Sequence, residues 1–320
     1  MHIAHFPSDA APRWPRPVAA LGNFDGVHRG HQKILDRVKA QADACGGVPV
    51  VVTFDPHPPR VVRPDKAPPL LMTLEQRLET FARAGVHGVA VVHFTPELAR
   101  WEPEAFVDRV LVDWLQVAEV WVGANFLFGR DRLGTFTLLK ALGEDRGFRT
   151  GNIEPVRYRD FVVSSTRIRR LIEEGRVGES AELLGHYYYL DGVVVHGEKR
   201  GRLLGFPTAN LHVANELLPA SGIYATIAVV GGVRHPAVTN VGVRPTIPRE
   251  ATAEGRLSAE TVTVETHLLD ASMDLYGASM RLEFVEWLRP EEKFDSLEAL
   301  SAQIGLDCEA GRQVIAREGL

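Results

Sequence analysis

From Val18 to about Leu184, short apolar runs alternate with amphipathic stretches, the pattern of βα units built around a parallel sheet. Strands are expected at Val18–Leu21, Val48–Thr53, Gly88–His93 and Val120–Val122. Between the first two, Ile34, Leu35, Val38 and Ala42 fall on one face of a helix that Gly46-Gly47 should stop. Thr73-Leu74-Glu75-Gln76 reads as a capping box opening a helix that ends at Gly85. Two more helices are expected over roughly Thr166–Glu174 and Val177–Leu184, joined near Gly175.

After Leu184 the period changes. Tyr187–Val195, Ile223–Val230, Val233–Val241, Val262–Leu269 and Met280–Leu288 read as strands separated by Gly, Pro and Asn with no helices between them, which predicts a small antiparallel barrel. Ser296 is placed to cap a helix through Ile304, with a further helix over Glu309–Ala316. The domain boundary belongs near Gly185-His186, giving domains 1–185 and 186–320. Ile247–Glu260 is polar and poorly periodic, and reads as a mobile loop inside the second domain.

Composition agrees with two cores: 320 residues, 45% hydrophobic and 24% charged, are enough for both. The formal charge of −5 lacks the basic excess of a protein that grips nucleic acid by its phosphates. Cys45 and Cys308 are far apart and outside any Cys-x-x-Cys spacing, so neither a disulfide framework nor a cysteine zinc site is suggested. The N-terminus has no basic start and apolar run of a secretory signal, and no segment reaches the apolar length of a membrane span. A cytoplasmic protein without membrane or nucleic-acid partners is expected, and the sequence is compatible with a homo-oligomer.

Chemistry concentrates first in Leu21-Gly22-Asn23-Phe24-Asp25-Gly26-Val27-His28-Arg29-Gly30-His31, where the first strand gives way to the first helix. Free backbone N–H groups and the helix dipole favour an anion there, and glycines let a phosphate come close. His28 and His31, at i and i+3, can face one ligand and stabilise charge on a pyrophosphate leaving group. Taken alone, His-x-x-His also reads as two ordinary exposed side chains. Zinc is disfavoured, because no His-Glu-x-x-His motif or cysteine pair is nearby.

Four blocks in order resemble the His-x-Gly-His nucleotidyltransferase superfamily, and more narrowly the N-terminal module of prokaryotic bifunctional riboflavin kinase/FAD synthetases. They are the stretch above, Thr53-Phe54-Asp55-Pro56-His57-Pro58, Val122-Gly123-Ala124-Asn125-Phe126-Leu127-Phe128-Gly129, and Ser164-Ser165-Thr166-Arg167-Ile168-Arg169. The resemblance implies a Rossmann-like α/β fold with Gly22, Asn23, Phe24, Asp25, His28, Gly30 and His31 at ATP. Ser164, Thr166 and the catalytic Arg167 would complete that site, since a hydroxyl pair followed by arginine suits phosphate oxygens; by itself the block is a helix cap with a solvated arginine. Phe54, His57, Pro58, Asn125, Phe126 and Phe128 would approach FMN, although the aromatics read equally well as core. Asn125 stands where many members carry aspartate, so no role needing a negative charge is carried over to it.

In the second domain, Gly197-Glu198-Lys199-Arg200-Gly201-Arg202 precedes Gly205-Phe206-Pro207-Thr208-Ala209-Asn210. A glycine-rich basic loop followed by hydroxyl and amide side chains suits phosphates and a hard cation, and is also compatible with a plain turn between strands. It is not a Walker A sequence. The second block resembles the riboflavin kinase signature, and Asn240-Val241-Gly242-Val243-Arg244-Pro245-Thr246, Val264-Glu265-Thr266-His267-Leu268-Leu269-Asp270, Asp274-Leu275-Tyr276-Gly277 and Arg289 with Glu292-Lys293-Phe294 continue the likeness. It implies a six-stranded Greek-key barrel followed by a C-terminal helix. It also implies ATP contacts from Gly197, Lys199, Arg202, Gly205 and Pro207, Mg²⁺ ligation by Thr208 and Asn210, and Glu265 as general base. On pattern alone Glu265 is a charge on the solvent face of a strand, and Arg289 either flanks the flavin or makes a surface ion pair.

The expected partners are therefore riboflavin, FMN, FAD and ATP, with ATP plus riboflavin giving FMN and ATP plus FMN giving FAD. Another His-x-Gly-His adenylyltransferase and a flavin-binding regulator without turnover are the competing readings.

Overall fold

The strands of the N-terminal half are short, and the central ones are apolar throughout: all five residues of Pro17–Leu21 are buried, as a strand covered on both faces requires. In the computed structural model, which describes residues 1–197, 205–243, 262–271 and 273–319, the chain divides into two compact units, Met1–Ser164 and Ser165–Leu320. In the first unit β1 (His2–Phe6), β2 (Pro17–Leu21), β3 (Val48–Asp55), β4 (Gly88–His93), β5 (Glu119–Gly123) and β6 (Arg149–Ile153) form one parallel sheet in the order β1-β4-β3-β2-β5-β6. The chain moves outward from β2 through β3 to β4, then returns to the other side of β2 with β5. Ligands of open parallel sheets bind beyond the carboxyl ends of the strands flanking such a reversal, here Leu21 and Gly123.

The helices form as their patterns require. In α1 (Arg29–Cys45) the buried residues are Ile34, Leu35, Val38 and Ala42, and Gly46 ends it in the left-handed conformation at φ 64°. After the short α2 (Pro58–Val62), α3 (Leu74–Arg83) opens with both halves of the capping box between Thr73 and Gln76. α4 (Pro103–Phe106) runs into a π-helical turn over Val107–Trp114, α5 (Phe136–Arg146) follows, and a small hairpin of β7 (Arg157–Tyr158) and β8 (Phe161–Val162) comes near the end of the unit.

The second unit begins with α6 (Ser165–Glu173) and α7 (Val177–Leu184). β9 (Tyr188–Val195), β10 (Ala209–Val213), β11 (Gly222–Val230), β12 (Val233–Val243), β13 (Val262–Leu268) and β14 (Ser279–Arg289) then close an antiparallel barrel in the order β10-β13-β12-β11-β14-β9. Its interior carries a hydroxyl chain, Thr226 to Thr239 at 2.7 Å and Thr239 to Thr266 at 2.9 Å. On the outer face Ile223, Ile227, Val238 and Val285 pack with Cys308, Val314 and Ile315 of the C-terminal helix α8 (Leu297–Arg317).

The compact division falls between Ser164 and Ser165, ahead of Gly185-His186, because α7 packs on β9 and β14 and the Ala220 N–H donates to Ile172 O at 3.2 Å. The two terminal helices are one. The helix runs through Gly311, which lies against the barrel, where a Cβ would come within 2.6 Å of Val238 Cγ2. The expected loop Ile247–Glu260 lies outside the described residues.

Candidate active sites

The loop joining β2 to α1 is held in unusual backbone geometry. Phe24 (φ 52°) and Val27 (φ 37°) occupy the left-handed region although both are fully buried, a conformation that persists only when the surroundings enforce it and that clusters at functional sites. The buried Asp25 carboxylate accepts the Leu71 N–H at 2.9 Å and the Met72 N–H at 3.2 Å, anchoring the segment that leads into α3. His28 caps α1, its Nδ1 accepting the His31 N–H at 3.3 Å, and the two imidazoles stack with centroids 3.7 Å apart. Gly30 leaves room for this arrangement, since a Cβ there would sit a tight 3.1 Å from His28 Cε1. Burial, and secondarily the neighbouring His28, push His31 well below the ordinary imidazole range. His31 is thus neutral at pH 7, and its buried Nδ1 has no hydrogen-bond partner among the described residues.

A residue that sequence reasoning missed supports this loop. Arg77, 1% exposed, donates from Nη1 to Asn23 O and Thr53 Oγ1, both at 3.0 Å, and its Nη2 lies 3.8 Å from Asp55 Oδ1. It ties the carboxyl end of β2 to that of β3. The signal was an arginine at i−4 from the buried Phe81, on the core face of α3. Arg77→Met strips the donor from these buried acceptors and is expected to cost about 2–4 kcal/mol of stability. A lowered urea midpoint would show it; an unchanged midpoint would refute it.

The residues expected at flavin divide. Phe54 and Phe128 belong to the hydrophobic core, Phe54 edge-on to Phe94 at 5.8 Å and Phe128 stacked with Phe126 at 5.6 Å. Phe126 is half-buried and Asn125 exposed, just past the end of β5. His57 is buried immediately before Pro58, which starts α2. These groups and the His28-His31 pair therefore share the carboxyl edge of β3, β2 and β5. Ser164 ends the first unit, while the exposed Thr166 and half-buried Arg167 begin α6 in the second.

In the second unit a cavity of about 350 Å³ opens between the outer face of the barrel and α8. Strand register explains its polar wall. Asn210 on β10 pairs with Glu265 on β13, Glu265 with Asn240 on β12, Asn240 with Ile223 on β11, and Ile223 with Arg289 on β14. Register partners project to the same side, so these five side chains form one row, and all five line the cavity together with Thr208. Glu265 does face outward, as its alternation predicted, yet that face is roofed by α8 rather than open to solvent.

Glycine again permits a close approach, because a Cβ on Gly197 would fall 2.1 Å from Asn210 Nδ2. Gly205 turns the chain at φ 85°, and Pro207 O accepts from His267 Nδ1–H at 2.9 Å. Lys199 and Arg202 lie outside the described residues. Arg289 both lines the cavity and forms an ion pair: Nε and Nη2 donate to Asp307 Oδ1 and Oδ2 at 2.8 and 2.7 Å, a bidentate link to α8. Gln303 Nε2 also donates to Asp307 at 3.0 Å. Sequence reasoning missed Asp307 as well; its signal was a carboxylate on the buried stripe with Cys308, Gly311 and Val314. Among the described residues no group of three or more His, Cys, Asp or Glu side chains could hold a metal. Thr208 and Asn210 offer neutral oxygens, the donors suited to a hard cation whose remaining ligands are phosphate oxygens and water.

Comparison with known proteins follows this division of labour. A family model described as FAD synthetase matches residues 11–167, and one described as riboflavin kinase matches residues 184–315. The bifunctional riboflavin kinase/FMN adenylyltransferase of Pseudomonas fluorescens is 38% identical over 93% of this chain and 93% of its own, and that of Bacillus subtilis 34% identical over 96% and 95%. A solved structure described as a macrolide-efflux protein from Streptococcus pneumoniae superposes with a TM-score of 0.85 at 26% identity, over 98% of this chain and 99% of its own. That likeness is one of fold. No helix among the described residues is long and apolar enough to cross a membrane. With both halves matched in order and whole-length relatives this similar, the chain belongs to the bifunctional riboflavin kinase/FMN adenylyltransferase family.

Proposed function

We propose that the second unit transfers the γ-phosphoryl group of ATP to the ribityl 5′-hydroxyl of riboflavin, and that the His28-His31 site transfers AMP from a second ATP to FMN, releasing pyrophosphate. The observation that carries the kinase assignment is the Asn210–Glu265–Asn240 row beside Thr208 in one cavity. Phosphoryl transfer needs a carboxylate able to take the hydroxyl proton and donors that hold the phosphates in line. Glu265 takes that proton. Thr208 and Asn210 would hold Mg²⁺, which when bound would offset the negative charge of the ATP phosphates. Gly197, Gly205 and Pro207 are assigned to the nucleotide, and Arg289, fixed by Asp307, borders the flavin.

In the other reaction the amide-rich start of α1 and the two imidazoles receive the triphosphate. A neutral His31 donates to a phosphate oxygen as charge builds on the leaving pyrophosphate, while His28 keeps the ring in place. No covalent enzyme intermediate is needed. Ser164, Thr166 and Arg167 complete this site in our assignment; the FAD synthetase match, which runs to residue 167, supports it. Functionally we therefore keep α6 with residues 1–185, although it packs with α7 in the second compact unit. We place both reactions in the cytoplasm, consistent with Cys45 and Cys308 being free thiols.

One incubation tests the whole reading. With riboflavin, ATP and Mg²⁺, chromatography should resolve FMN and then FAD. Formation of neither would leave a flavin-binding protein without turnover.

A further inference from the structure

We propose that Asn240 is a substrate-binding residue of the kinase site that receives a hydroxyl of the riboflavin side chain, and so selects flavins carrying a polyol. The inference rests on the kinase reading above and adds to it a residue and a specificity.

Asn240 sits in the interior of β12, in register with Glu265 on one side and Ile223 on the other. Its side chain lines the cavity, and its buried Oδ1 has no hydrogen-bond partner among the described residues. Buried polar atoms are rarely left so, because an unmet acceptor is costly. The hydroxyl of Thr263 in the next row is directed elsewhere, donating to Gly242 O at 3.4 Å. A ligand filling the cavity can supply the missing donor.

The register identifies that donor. On the β10 side of Glu265 lie Asn210 and Thr208, the hard oxygen donors. On the β12 side lie Asn240, then Ile223, and then Arg289, next in register on β14. The hard oxygen donors and the Ile223–Arg289 end of the row thus fall on opposite sides of the carboxylate. A substrate whose reacting hydroxyl meets Glu265 and whose flat apolar ring lies toward Ile223 must pass Asn240 with the atoms in between. In riboflavin those atoms carry the remaining ribityl hydroxyls, each both donor and acceptor.

The test measures dissociation constants by quenching of flavin fluorescence, comparing riboflavin with lumiflavin, which has the same ring but a methyl group in place of the ribityl chain. The parent protein should bind riboflavin about 5- to 10-fold more tightly than lumiflavin, the contribution of one or two neutral hydrogen bonds. Asn240→Ala and Asn240→Val should remove most of that preference while binding lumiflavin as the parent does, and should raise the KM for riboflavin with little change in that for ATP. Equal binding of the two flavins by the parent overturns the proposal even if neither variant folds. So does an unchanged riboflavin constant in the variants, or an equal loss for both flavins. If the parent makes no FMN from riboflavin, ATP and Mg²⁺, the kinase reading itself fails; if it does and the variants are unaltered, only the Asn240 assignment falls.

Discussion

Glu265→Gln is expected to lower riboflavin phosphorylation by about 10²- to 10⁴-fold, the usual contribution of a positioned general base, while FMN adenylylation continues at the parental rate. Glutamine keeps the size and most of the hydrogen bonding of glutamate, so the Asn210–Glu265–Asn240 row and the cavity it lines should persist. What it loses is the capacity to accept a proton. The loss should therefore appear in kcat, with binding of riboflavin and ATP nearly unchanged, as for an interaction that matters only in the transition state. Selectivity between the two reactions is the stronger part of the prediction, because Glu265 belongs to the second unit and the His28-His31 pair to the first. Supplying FMN and riboflavin in separate assays isolates each step. FMN formed from riboflavin at the parental rate would remove Glu265 from its role, and equal loss of both reactions would point to a folding defect instead.

The legible parts of this protein were those set by near neighbours in sequence. The one-sided stripe Ile34, Leu35, Val38 and Ala42 and the Thr73–Gln76 box are local patterns, and both helices form as read. β1 and β6 escaped notice because edge strands need no apolar run: β1 buries only Ala4, and no residue of β6 is fully buried. The same distinction governs the sites. His28, Gly30 and His31 act within one helical turn, so their spacing carried the chemistry. Arg77 meets Asn23 and Thr53, and Asp307 meets Arg289, across long stretches of chain whose pairing no local pattern encodes. Glu265 shows how far strand alternation reaches: it gave the outward face correctly, while α8, which turns that face into a cavity wall, arrives from a distant part of the chain.

His31→Ala should have the opposite selectivity, reducing FMN adenylylation by about 10²- to 10³-fold, the cost of removing one preorganised donor to a developing charge, and sparing riboflavin phosphorylation. The ring it removes is already neutral, since burial and His28 hold it well below the usual imidazole range. That has a measurable consequence for stability. As pH falls through about 6.5 the unfolded chain protonates this imidazole and the folded chain does not. The unfolded state then binds more protons, so stability declines with acidification below that point and is greatest above it. His31→Ala deletes this contribution, and its denaturation midpoint should fall less steeply between pH 7.5 and 5.5 than that of the parent. If the two proteins lose stability in parallel over this range, His31 is not held neutral. If adenylylation also survives, the phosphate-handling role passes from His31 to the remaining groups at the start of α1.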